Sequence, residues 1–78
     1  MKKLNKDSKK YLKELGNRIS ALRKENGLSQ VELAKKLGTK FPQIGRLERG
    51  ETNASIITLR KIAKELGVSV SQLLSIQV

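Results

Sequence analysis

The chain has no cysteine, no histidine and no tryptophan, and Tyr11 and Phe41 are its only aromatic residues. Each absence removes a class of function. Without cysteine there is no disulfide framework and no thiolate zinc site. Without histidine the commonest general base and metal ligand is missing. No paired carboxylates and no phosphate-cradling glycine loop replace it, so neither catalysis nor a metal or other cofactor is expected. Two aromatics are too few to stack bases along a single strand, which argues against single-stranded DNA and RNA as partners. The apolar runs are too short to span a bilayer, and the Met-Lys-Lys start lacks the apolar core of a secretory leader. A cytoplasmic location with no membrane partner is the expectation. Acidic residues are scarce as well: seven Asp and Glu face 17 Lys and Arg, a net charge of +10 on 78 residues. That imbalance points to a polyanion as partner.

What the chain does have is helical periodicity. Residues 1–7, with Lys2, Lys3 and Lys6, read as a basic arm that adds nonspecific attraction to a polyanion. Residues 8–78 read as one all-α domain of five helices with short links. Helix one is expected to start at an Asp7 or Ser8 cap and to bury Leu12, Leu15, Ile19 and Leu22 before Gly27. Helix two opens with Ser29 and Glu32 spaced as a capping box and Leu28 with Leu33 as a hydrophobic staple; it stops at Gly38. Helix three covers about Lys40 to Arg49, with Ile44 and Leu47 inward and Pro42 in the first turn, where its missing N–H costs nothing. Helix four follows Ser55 and buries Ile56, Leu59, Ala63 and Leu66, with Ile62 beside them. Helix five repeats the earlier device, with Ser69 and Gln72 as the box and Val68 and Leu73 as the staple. A domain of this size buries only roughly 60% of its unfolded surface, so a partner subunit is an expected source of further stability.

The run Leu28 to Glu51, LSQVELAKKLGTKFPQIGRLERGE, has the form of two short helices joined by a glycine turn. In a helix-turn-helix the second helix enters the DNA major groove. On a wheel of helix three, Ile44 and Leu47 point one way, and Pro42, Gly45, Arg46 and Arg49 point broadly the other, with Phe41 and Gln43 on the flanks. Arg46 suits a bidentate pair with guanine O6 and N7, and Gln43 suits adenine N6 and N7. Phe41 suits either a thymine methyl or the edge of the core. Arg49, at the far end, suits a phosphate. Gly45 on the outer side is open to two readings, close backbone approach to DNA or neutral drift. Gln30, in the first turn of helix two, suits a phosphate at the helix N-terminus. Glu48 lies where the helix dipole disfavours a carboxylate, and Arg23 is the candidate cation to relieve it.

Residues 15 to 74 resemble the phage-repressor type of helix-turn-helix domain, the Xre/Cro-like family. The resemblance is carried by Leu15-Gly16-Asn17-Arg18-Ile19, by Leu22-Arg23, and by Gly27-Leu28-Ser29-Gln30-Val31-Glu32-Leu33-Ala34. It continues in Ile44-Gly45-Arg46-Leu47-Glu48-Arg49-Gly50-Glu51 and from Leu59 through Ala63 to Leu66-Gly67-Val68-Ser69. It implies a five-helix fold, dimeric binding to a palindromic operator and control of transcription. It also implies an ion pair between Arg23 and Glu48, a phosphate-binding Gln30, and base readers around Lys40 to Gln43 and at Arg46. Lys40-Phe41-Pro42-Gln43 is more apolar than the Ser, Gln and Thr usual at that place in the family.

The expectation is therefore a sequence-specific double-stranded DNA-binding regulator. It would be a controller of a restriction–modification operon or a small phage or mobile-element repressor, with no small-molecule ligand evident. The alternative is an antitoxin or adaptor that uses the same fold to bind a partner protein. One helix-turn-helix reads too few base pairs to find one site in a genome, so a homodimer is expected. Its interface is expected at the apolar tail residues Leu74, Ile76 and Val78.

Overall fold

A computed structural model describes residues 5–76. They form five helices: α1 (Lys6–Glu25), α2 (Gln30–Leu37), α3 (Phe41–Glu48), α4 (Ile56–Glu65) and α5 (Val70–Leu73). Among the described residues there is no strand, and no helix is long and apolar enough to cross a membrane.

α1 starts one turn earlier than its expected caps. Asn5 accepts a hydrogen bond from the Ser8 N–H at 2.8 Å, so Lys6 and Asp7 are already helical. Asn caps as well as Asp or Ser does, and Asp7 then faces the positive end of the helix dipole from the first turn. Lys6 thus belongs to the helix rather than to an arm; Lys2 and Lys3 lie outside the described residues.

The other helix starts are as read. The Ser29 hydroxyl accepts from the Glu32 N–H at 3.0 Å, and the Glu32 carboxylate accepts from the Ser29 N–H at 2.9 Å. Ser69 and Gln72 repeat the exchange at 3.0 and 2.8 Å, and Ser55 caps α4 through the Thr58 N–H at 3.1 Å. Between α2 and α3 the chain must reverse within three residues. Gly38 does this at φ 68°, a left-handed conformation that a side chain would strain.

The core collects Leu15 and Ile19 of α1, Leu33 and Ala34 of α2, Ile44 and Leu47 of α3, Leu59, Ile62 and Ala63 of α4, then Leu66 and Leu73. Leu22 and Leu28 pack against it, half-buried, whereas Leu12 is half-buried outside it. Ile56 departs from expectation: it is 58% exposed, as is its neighbour Ile57 at 54%. A helical side chain leans toward its own N-terminus. In the first turn of α4 that carries Ile56 past the end of the core, although Leu59 one turn later is buried.

α1 and α3 meet at Gly16. A Cβ there would stand 2.6 Å from the Leu47 carbonyl oxygen and 2.7 Å from the Glu48 carbonyl carbon. The absence of a side chain lets the end of α3 rest directly on α1. The tail is tied to the same helix: the Tyr11 hydroxyl donates to the Leu74 carbonyl at 3.1 Å and Arg18 Nε to the Gln72 carbonyl at 2.9 Å.

Candidate nucleic-acid interface

α3 divides into two faces. Ile44, Gly45, Leu47 and Glu48 are buried; Phe41, Pro42, Gln43, Arg46 and Arg49 are exposed. The Arg46 side chain makes no hydrogen bond or ion pair with any described residue, so its guanidinium donors are unengaged. Phe41, at 49% exposure, does not close the core; it stands on the outer surface at the start of the helix. Lys40 is the N-cap residue of α3 and makes no side-chain cap bond. Lys40 and Gln43 border a polar cleft between α3, the following loop and α4, shared with Thr52, Asn53, Ser55 and Lys61. The sequence reading missed Lys61: its role on the cleft depends on how α4 is placed against α3, and no local pattern encodes that.

Two features of the helix end were not legible in the sequence. Gly45 faces the outer side, as the wheel has it, but it is covered: a Cβ on it would meet only Arg49, at 2.9 Å from Nη1. Arg49, one turn on, folds back over it, so Gly45 is buried by a side chain of its own face. Arg49 is also paired: its Nε donates to Glu51 Oε2 at 2.7 Å and its Nη2 to Oε1 at 3.3 Å. The hydrogen bond and charge of this neighbour raise the arginine pKa and hold the Glu51 carboxyl below its ordinary value. A phosphate would find Arg49 already half neutralised.

Behind the outer face lies a buried polar centre. Arg23 and Glu48 are each 8% exposed. Arg23 Nε donates to Glu48 Oε2 at 2.7 Å and Nη2 to Oε1 at 3.0 Å, a two-pronged pair. Arg23 Nη1 also donates to the Leu28 carbonyl at 2.8 Å. Gln30 Nε2 gives Glu48 Oε1 a further bond at 3.0 Å. One carboxylate thus joins α1, α2 and α3. Burial works against its ionisation, but the hydrogen bonds from Arg23 and Gln30 and the charge of Arg23 outweigh it and hold the Glu48 pKa below its usual value. Gln30 was read only as a phosphate contact. The structure shows that one of its amide N–H groups is committed to Glu48, which fixes the direction of the other. Its place at the first residue of α2 was legible; its bond to Glu48 depends on tertiary packing.

The Helix-turn-helix family model HTH_3 matches residues 19–73. This chain belongs to that family. It is 42% identical over 57 residues to the immunity repressor protein of Bacillus phage phi105, and spans 73% of this chain but only 40% of that protein. It is 44% identical over 61 residues to the transcriptional regulator SinR of Bacillus subtilis, covering 77% of this chain and 55% of SinR. In three dimensions it resembles the restriction–modification controller protein C.AhdI of Aeromonas hydrophila. The TM-score is 0.76 at 35% identity, over 80% of this chain and 94% of that one. The family is of the Xre-like, phage-repressor type.

The tail expected at a dimer interface is partly taken up within the monomer. Leu74 and Ile76 are half-buried against the core of their own domain. Their apolar atoms are largely used within the monomer, because Tyr11 and Arg18 draw this end of the chain onto α1. Val78 lies outside the described residues. Among the described residues, the large apolar side chains left exposed are Val31, Phe41, Ile56 and Ile57.

Proposed function

We propose that the chain is a sequence-specific double-stranded DNA-binding regulator of transcription, acting in the cytoplasm without catalysis. The observation that carries this reading is the outer face of α3. Gln43 and Arg46 are exposed on it, Arg46 makes no hydrogen bond or ion pair with a described residue, and the buried Arg23–Glu48–Gln30 centre ties the helix to α1 and α2 from behind. The relatives named above, a phage immunity repressor and a restriction–modification controller, agree with it. Arg46 reads a guanine, Gln43 reads an adjacent base, and the free N–H of Gln30 braces a phosphate beside the α2 N-terminus. Lys40 and Lys61 flank the cleft and neutralise the sugar–phosphate chain.

The test is selection of bound sequences from a random duplex library, followed by titration of the selected operator and a scrambled duplex. Arg46→Ala should cost about 1–3 kcal/mol on the operator and relax base choice at one position. Arg49→Ala should weaken both duplexes evenly. It should lower the salt slope by less than the ~1 expected of a free phosphate contact, because Glu51 already shares its charge. Equal loss on operator and scrambled DNA from Arg46→Ala would remove the base-reading role.

We also infer that the protein acts as a homodimer, which doubles the sequence read. Because the tail is folded onto its own domain, the surface offered is the Ile56–Ile57 pair at the start of α4, where a second copy would bury it. On DNA the two recognition helices would then lie roughly 34 Å apart, one helical turn. Sedimentation of the full chain should show a dimer at micromolar concentration, and Ile56→Glu with Ile57→Glu should give a folded monomer. A full chain that stays monomeric and binds its operator without cooperativity excludes this assembly.

A further inference from the structure

The first turns of α1 touch the rest of the fold on one side, through Tyr11 and the backbone at Lys13, and leave the other side without a role. No residue from Lys6 to Glu14 is fully buried, and all of them precede the segment 19–73 matched by the family. Yet this stretch is helical from Lys6 onward. Its charge is ordered. Lys6, Lys9, Lys10 and Lys13 fall at i, i+3, i+4 and i+7, the spacing of one helical face, and all four are exposed. None of them forms a salt bridge with a described residue. Asp7 and Glu14 lie at the edge of the stripe, about a quarter turn away, rather than alternating within it.

This pattern works against folding. A solvated helix face is ordinarily interlaced with acids three or four residues from each base, and like charges at i, i+4 destabilise a helix; Lys10 has such acids in Asp7 and Glu14, but Lys6, Lys9 and Lys13 have none. Here Lys6 with Lys10 and Lys9 with Lys13 are such like-charged pairs. A polyanion lying along the face would relieve them. The stripe is also continuous with the recognition helix. Lys9, Gly16 and Arg23 are separated by seven residues each and share one line along α1, and Gly16 and Arg23 on that line touch the end of α3. Gly50, just after α3, is pressed against Lys13: a Cβ on it would stand 2.7 Å from the Lys13 Cα. From Gly16 back to Lys6 the helix advances about 15 Å, which carries positive charge well beyond the end of α3.

We propose that Lys6, Lys9, Lys10 and Lys13 form a second phosphate-binding stripe, which grips the DNA backbone flanking the base pairs read by α3. The proposal rests on the DNA-binding reading above. The basic attraction read from the sequence as a loose arm is, in this part, built on a rigid helix, so it touches a fixed position on the duplex. It contributes affinity and salt dependence, and no base preference.

The test is the variant with all four lysines changed to Gln, which keeps the helix propensity of lysine; circular dichroism confirms that it folds. Full-length wild type and variant are titrated across a salt series on a long duplex holding the selected operator, on the operator trimmed of its flanks, and on a scrambled long duplex. The salt slope on the long duplexes should fall by about 3.6, four phosphate contacts at about 0.9 each. Affinity at 50 mM salt should fall at least about tenfold, equally for operator and scrambled sequence. On the trimmed operator, wild type and variant should converge. If the variant keeps the wild-type slope and affinity on every duplex, the stripe faces solvent or an acidic protein and the proposal fails. A loss confined to the operator would make the lysines base readers and also overturn it. A wild-type chain that binds no duplex sinks the DNA-binding reading as well, whereas one that binds but is indifferent to the four glutamines sinks the stripe alone.

Discussion

Truncating Glu48 to alanine should leave the domain close to unfolded at 25 °C. The carboxylate is 8% exposed and receives donors from Arg23 and Gln30. Removing one partner of a buried pair costs about 3–5 kcal/mol, because the other charge stays buried without compensation. A domain of this size has a total stability on the order of 5 kcal/mol. Arg23→Ala should cost a similar amount at neutral pH, since it leaves the carboxylate at the negative end of α3 with only weak donors. Both deficits should narrow in acid, and that of Arg23→Ala by more. In the wild type the Glu48 pKa is depressed by folding, so its contribution is complete above the unfolded value of about 4.3 and is lost as pH falls through the lower, folded value. In Arg23→Ala the buried carboxyl takes up a proton more readily, so its deficit relative to wild type should narrow as the solution is acidified. Urea unfolding of both single variants and the double variant gives the coupling energy. About 0.5–3 kcal/mol is expected, and a value indistinguishable from zero would mean that the pair contributes nothing beyond its separate parts.

Gly16→Ala should be the most harmful of the small substitutions. In a helix interior, Gly to Ala ordinarily gains about 1 kcal/mol. At this site the added methyl meets the carbonyl groups of Leu47 and Glu48, and backbone cannot rotate away as a side chain can. α1 and α3 must separate, at a cost of overpacking on the order of 1–3 kcal/mol or more, and the Arg23–Glu48 bonds lengthen with them. Gly45→Ala is the matched control. Its methyl meets only the flexible end of Arg49, so it should be neutral or mildly stabilising. Thermal melts of the two proteins side by side decide the matter: equal shifts of Tm would show that the Gly16 contact does not hold the helices together.

Local chemistry accounts for most of what was legible in the sequence. Caps at Ser29, Ser55 and Ser69 are three-residue patterns and are found where they were read. The core positions at helical spacing are also found, except Leu12, which is half-buried outside the core, and Ile56, whose exposure depends on where the neighbouring helices end. Arg23 and Glu48 were brought together by an argument from the α3 dipole and by resemblance, and the structure places them in a two-pronged bond. What stayed hidden was set by tertiary packing: the bond from Gln30 to Glu48, the fold-back of Arg49 over Gly45, and the return of Leu74 and Ile76 onto α1. In each case a flexible polar side chain or a chain end has several local options. Only the position of another helix selects among them.

The reciprocal caps at Ser29 and Ser69 have a kinetic consequence. Each closes over three residues, so each can form before any distant part of the chain arrives. Two of the helix pairs that then pack are adjacent along the chain, α2 with α3 and α4 with α5. The others are not: α2 must meet α4, and α1 must dock on α3 and α5, with Arg23 finding Glu48 across 25 residues. These docking steps close longer loops before any contact rewards them, so the folding rate is expected to follow them rather than the formation of any single helix.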